Sequence, residues 1–104
     1  MTICDNPYII EDVRNKYEFS EVGDMTKVVN RISTYRKGET LMICSEVLLE
    51  NGKPGYELLI VDEHVYKGRN KSFQKAPYAK IFTSKKQANN YALAIIRKEG
   101  YERI

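Results

Sequence analysis

Residues 40–66 read TLMICSEVLLENGKPGYELLIVDEHVY, and this stretch decides the fold. Two segments rich in Leu, Ile, Val and Tyr, Thr40 to Leu49 and Tyr56 to Tyr66, are separated by Glu50-Asn51-Gly52-Lys53-Pro54-Gly55. Asn-Gly between two such segments is the strongest short-range hairpin signal, because both residue types accept a positive φ. Pro54 has no N–H to donate, which puts the start of the second strand at an edge or outside the ladder. The near-continuous apolar run Leu41-Met42-Ile43-Cys44 predicts a strand covered on both faces, and so a central one.

Working outward, Tyr78 to Thr83 predicts a third short strand that runs directly into a helix. Ser84-Lys85-Lys86-Gln87 has capping-box form, with a serine oxygen available to the N3 amide. Ala88, Tyr91, Ala92, Ile95 and Ile96 then fall on one apolar stripe of a 3.6-residue period. Gly100 suits the left-handed position past the helix end, with Tyr101 packing back toward Ile96. On the other side of the hairpin, Met25, Val28, Val29, Ile32 and Tyr35 also recur at helical spacing, so residues 24–38 are expected to be a helix capped by Asp24 and ended by Gly38, with a strand as the alternative because Thr, Val, Ser and Tyr favour strands. Asn6-Pro7 ahead of Ile9, Ile10, Val13 and Tyr17 predicts a short N-terminal helix, and Tyr17 to Val22 an added edge strand. The expected architecture is an α+β domain: an antiparallel sheet of three or four strands, a C-terminal helix packed on one face, and a helix-strand-strand-strand-helix core.

A chain of 104 residues is one domain's worth, here an acidic extension over residues 1–23 and a core over 24–104. With 42% apolar residues, 30% charged residues and a mean hydropathy of -0.51, the composition is that of a soluble globular domain. No apolar run approaches the ~20 residues that a bilayer helix needs. The opening Met1-Thr2-Ile3-Cys4-Asp5 lacks the features of a signal peptide, and a cytoplasmic location is expected. Cys4 and Cys44 are then expected to be reduced thiols rather than a disulfide.

The net charge of +3 conceals a strong segregation. Residues 1–24 sum to -4 and residues 25–66 to -1, whereas residues 67–86 carry Lys67, Arg69, Lys71, Lys75, Lys80, Lys85 and Lys86 with no acid. Such a layout steers partners by sign. Tyr66, Phe73, Tyr78 and Phe82 are interleaved with these bases, a mixture that suits backbone phosphates and stacked rings. The seven bases are therefore the candidate partner- or phosphate-binding residues, and Tyr66, Phe73 and Tyr78 the candidate stacking or anchoring residues. The plainer reading is a solvated basic face, with Tyr78 and Phe82 turned into the core.

At the last helix, Ser84-Lys85-Lys86-Gln87-Ala88 resembles the Ser-Lys-Lys-x-Ala opening of the second helix in double-stranded-RNA-binding domains, a family whose fold has the same expected element order. The resemblance implies that Lys85 and Lys86 are phosphate ligands. Asn89 stands where that family has a third lysine, and its Gly-Pro-x-His loop does not occur. In size and lopsided charge the chain is also similar to small inhibitors carried by phages and mobile elements, anti-CRISPR proteins among them. That similarity implies a protein partner bound at its nucleic-acid channel; on such a partner the acidic N-terminal stretch would mimic nucleic-acid phosphate in a basic channel while the basic stretch grips an acidic rim.

The chemistry-bearing residues are few. His64, the single histidine, stands beside Asp62 and Glu63 and is a candidate base, although adjacent residues on a strand point to opposite faces. Cys44 lies mid-strand among apolar neighbours and reads as a small core residue. The six glycines form no phosphate-cradling loop, and neither a cofactor nor a metal is expected. The expected function is a non-catalytic binding module that inhibits or regulates a nucleic-acid-handling protein complex. Direct binding of structured or double-stranded nucleic acid is the alternative, and an enzyme using His64 a distant third.

Overall fold

A computed structural model describes residues 25–64, 73 and 78–104. The hairpin forms as its sequence dictates. Strand β2, Thr40–Leu49, pairs antiparallel with β3, Pro54–Asp62, in continuous register from Thr40 opposite Asp62 to Leu48 opposite Pro54. The turn is closed by Gly52 N donating to Leu49 O at 2.8 Å and Leu49 N donating to Lys53 O at 2.8 Å, while the Asn51 side chain accepts from Lys53 N at 2.9 Å. Pro54 takes the first strand position, where its missing donor costs the ladder least.

The described part of the segment expected as a helix, residues 25–38, is not one. It contains β1, Thr26–Lys37, the longest strand, paired antiparallel with β2 from Thr26 opposite Leu49 to Lys37 opposite Thr40. Two register shifts interrupt its ladder with β2, between Val28 and Asn30 and between Arg31 and Ser33. Each bulge inserts one residue and turns a step of two into a step of three. Thr26, Val28, Arg31, Thr34 and Arg36 consequently share one face and Lys27, Asn30, Ser33, Tyr35 and Lys37 the other, so the apolar residues at helical spacing, Val28 and Tyr35 among them, are divided between the two faces. Gly38 does not end a helix; it turns the chain between β1 and β2 at φ 59°, a conformation glycine adopts without a Cβ penalty.

Strand β4, Ala79–Phe82, adds antiparallel to β3 with Tyr56 opposite Phe82 and Leu59 opposite Ala79. Helix α1, Lys85–Glu99, comes next, and β5, Glu102–Arg103, then pairs antiparallel with β1 at Tyr35 and Arg36. The result is a five-stranded sheet in the order β4-β3-β2-β1-β5, with β2 at its centre as the apolar run required. The α+β class, the antiparallel sheet and the C-terminal helix on one face are as expected. The described order is four strands, a helix and a short strand, with five strands in the sheet rather than three or four, and the segment expected as the leading helix of a helix-strand-strand-strand-helix core is itself a strand.

Both faces of the sheet are apolar. Met42, Leu58, Ile60 and Phe82 meet Tyr91, Ala92 and Ile95 of α1, with Cys44 and Ile96 packed against that cluster. Leu41, Ile43, Leu59, Val61 and Ala79 form a second buried cluster on the opposite face. On that face Thr26 Oγ1 donates to the buried Glu57 carboxylate at 3.0 Å, giving a charge inside the domain a partner. The expected N-terminal helix, the edge strand Tyr17 to Val22 and the acidic extension lie outside the described residues. Among the described residues, no helix is long and apolar enough to cross a membrane.

Candidate binding surface

The corner between β4 and α1 carries the described part of the basic segment. The Ser84 backbone is extended, and its Oγ accepts from Gln87 N at 3.4 Å, so the helix starts where the capping pattern put it. The helix then runs to Gly100, which is left-handed at φ 80° and donates its N–H to Ile96 O at 2.9 Å. Lys85 and Lys86 occupy the first helical turn, exposed, with no acidic residue in that turn and no ion pair among the described residues. They stand at the positive end of the helix dipole, beside backbone N–H groups that an anion can accept from.

Lys80, two residues before the end of β4, is half-buried on the helix side of the sheet. Its Nζ lies 5.4 Å from the Tyr91 ring centroid and 5.8 Å from that of Phe82. The two rings themselves are 5.2 Å apart at an interplanar angle of 57°. Cation–π attraction to two ring faces holds the aliphatic stem against the core while the ammonium stays near the surface. Phe82 is thus a core residue, as the plainer reading had it. Tyr78 is half-buried, and its carbonyl accepts from Ile60 N at 3.1 Å, so its backbone belongs to the sheet margin. Phe73 is 40% exposed. Three of the seven candidate bases, Lys80, Lys85 and Lys86, therefore gather where β4 passes into α1. Lys67, Arg69, Lys71, Lys75 and Tyr66 lie outside the described residues.

His64 has a different partner from the one its sequence neighbours imply. Its Nε2 is 3.2 Å from Glu39 Oε1, and its backbone N–H donates to Asp62 Oδ1 at 2.8 Å. Glu63 turns away to pair with Arg36 at 2.6 Å, and Glu63 N donates to Glu39 O at 2.7 Å. The hydrogen bond that His64 donates to Glu39 holds the imidazole above its ordinary value, and the Arg36 guanidinium holds the Glu63 carboxyl below the usual carboxylate range. These contacts tie the β1–β2 turn to the end of β3. They give His64 an electrostatic role with both members on the surface.

Cys44 is half-buried beneath α1, in a shallow crevice it shares with Ile32, Tyr56, Ala88 and Asn89. Burial pushes its thiol upward, partly countered by a hydrogen bond with Ser33, so it behaves as a packed apolar residue and a poor nucleophile. Among the described residues, no group of three or more His, Cys, Asp and Glu side chains is placed to hold a metal ion.

Two features of the surface were not legible from the sequence. Lys37 reaches across to α1 and pairs with the buried Glu99 carboxylate at 2.7 Å, which neutralises both. Strand β1 also carries Lys27, Arg31, Arg36 and Lys37 with no acid of its own. Reading the segment as a helix scattered those four bases around a cylinder; the strand places Lys27 and Lys37 on the helix side of the sheet and Arg31 and Arg36 on the opposite face. Comparison with protein-family models, with curated proteins and with solved structures finds no match for the chain.

Proposed function

We propose that the chain is a non-catalytic binding module that docks onto a nucleic-acid-handling protein complex and occludes or regulates it, in the manner of a mobile-element inhibitor of the anti-CRISPR kind. The observation that carries this reading is the corner formed by Lys80, Lys85 and Lys86. Two exposed lysines with no ion pair among the described residues stand on the rigid, capped start of a helix, next to a third whose stem is fixed on aromatic rings. Rigid placement lowers the ordering cost of meeting an acidic surface, and charge of one sign speeds encounter. The acidic residues 1–24 supply the opposite sign elsewhere in the same chain, for the basic channel of such a complex.

A second reading, direct binding of structured or double-stranded nucleic acid, is favoured by the position of Lys85 and Lys86 at a helix N-terminus, where phosphate meets both ammonium groups and open N–H groups. Affinity capture on the immobilised protein, with and without nuclease, separates the two. A protein partner retained after nuclease and weakened by Lys85→Ala with Lys86→Ala supports the proposal. If instead bare duplex, single strand or hairpin RNA binds at low salt, with a log–log salt slope that the double variant flattens by about one per lost contact, direct phosphate binding is the function.

A further inference from the structure

We propose that the outward face of α1 reads base sequence in the major groove of duplex DNA. The inference rests on the second reading above, direct binding of nucleic acid, and adds which duplex is bound and by which side chains.

The helical period draws the surface. Tyr91, Ala92 and Ile95 turn toward the sheet, and the opposite side of α1 carries Lys86, Asn90, Leu93 and Arg97. At 3.6 residues per turn these four fall within about 60° of one another, a single line that points away from the domain. All four are exposed, Leu93 to 44%. Lys85 and Lys98, also exposed, stand about 110° to either side of that line, one near each end of the helix. Among the described residues, Lys85, Lys86, Arg97 and Lys98 make no ion pair. The one acid of α1, Glu99, is buried and engaged by Lys37. The whole outward face is therefore cationic, with an amide and an apolar side chain at its centre.

That chemistry chooses the occupant. The charge calls for an anion, and a second copy of α1 laid antiparallel would set Lys86 against Arg97, a like-charge juxtaposition. An acidic protein surface answers the bases but not the Asn90 amide, which donates and accepts at once, and protein interfaces are poor in lysine. Base edges answer every member of the line: Arg and Lys donate to guanine O6 and N7, Asn pairs with adenine N6 and N7, and an apolar side chain meets the thymine methyl. From Lys86 to Arg97 the helix rises about 16 Å, the length of about five base pairs, and the major groove of B-form DNA admits a helix. Lys85 and Lys98 then reach the phosphates of the two strands that wall the groove. In A-form RNA the same groove is too deep and narrow for side chains to read, so the surface fits DNA.

The test is selection by the full chain from a pool of DNA duplexes with a randomised centre, followed by titration of the recovered sequences. These should share a motif of about five base pairs, with guanine toward its ends and A·T pairs between. Asn90→Ala and Arg97→Ala, both at exposed positions, should keep the circular dichroism of the native chain and each reduce the preference at one motif position by about tenfold. Lys98→Ala should instead weaken binding to all sequences alike and flatten the log–log salt slope by about one. The proposal is overturned if the recovered duplexes share no motif, if Asn90→Ala and Arg97→Ala leave the preference unchanged, or if duplex RNA of the same sequence binds equally well. Binding without a motif that Lys85→Ala with Lys86→Ala still weakens removes only the reading of bases and leaves direct phosphate binding in place. Failure of every duplex to bind at low salt removes both, and docking on a protein then stands alone.

Discussion

Ile95 and Leu93 stand two positions apart on α1, and their replacement by alanine tests the seating of the helix on the sheet. Ile95 is 0% exposed and meets Met42, Leu58 and Ile60, whereas Leu93 is 44% exposed. Each change removes three carbons. At ~0.8 kcal/mol per buried methylene, Ile95→Ala forfeits ~2.4 kcal/mol of transfer free energy. The cavity left among fully buried neighbours raises the cost to about 3–4 kcal/mol. For Leu93 only about half of the transfer term applies, and solvent fills the gap, so Leu93→Ala should cost about 1 kcal/mol. Urea unfolding followed by helix circular dichroism reads both, with the slope unchanged and the midpoint moved. In thermal unfolding, Ile95→Ala should lower Tm by roughly 12–30 °C. Costs within ~0.5 kcal/mol of each other, or in reverse order, would mean that α1 does not present its Ile95 face to the sheet.

The surface pairs set pH windows of opposite sign. His64 is raised by Glu39, so its stabilising contribution is fully present below the ordinary imidazole value of about 6.5 and is lost as pH rises through the folded-state value. Glu63 is lowered by Arg36, so its contribution is present above the unfolded carboxyl value and is lost as pH falls through the folded one. An NMR titration should find the His64 midpoint above the ordinary value in the native chain and lowered toward it in Glu39→Gln, with Asp62 and Glu63 still holding it up in part; an unmoved midpoint would refute the pairing. Gly38→Ala should cost about 1 kcal/mol through backbone strain alone, since a Cβ there meets nothing within 4 Å. Ser84→Ala should remove about 1 kcal/mol by uncapping α1, with Ser84→Asp nearly neutral in the same denaturation assay.

What the sequence made legible was local. The β2–β3 hairpin, the central place of β2 and both ends of α1 were readable because turn chemistry, capping and a continuous apolar run each act within a few residues. Strand β1 was misread because bulges at Val29 and Ile32 break the strict alternation by which a strand shows itself in sequence, which left the helical spacing of its apolar residues as the stronger signal. The ion pairs Lys37–Glu99 and Arg36–Glu63 join residues far apart in sequence, and no local pattern announces them. For the candidate site, the signal was the run of bases itself. Lys85 and Lys86 came out exposed on a capped helix, whereas Phe82 and Lys80 form a stacked pair whose geometry depends on Tyr91, a residue that entered the sequence reading only as core.

The sheet order has a consequence for the chain as it is made. Strands β1, β2 and β3 are consecutive and joined by tight turns, so they can zip together while the ribosome is still adding the C-terminal residues. The outer neighbour of β1 comes much later: Arg103 is 68 residues beyond its partner Tyr35. At typical synthesis rates that interval is roughly 3–14 s, long compared with hairpin formation. For those seconds the stretch of β1 at Tyr35 and Arg36 waits without its β5 partner, and a strand from a nascent chain on a neighbouring ribosome can take that place first.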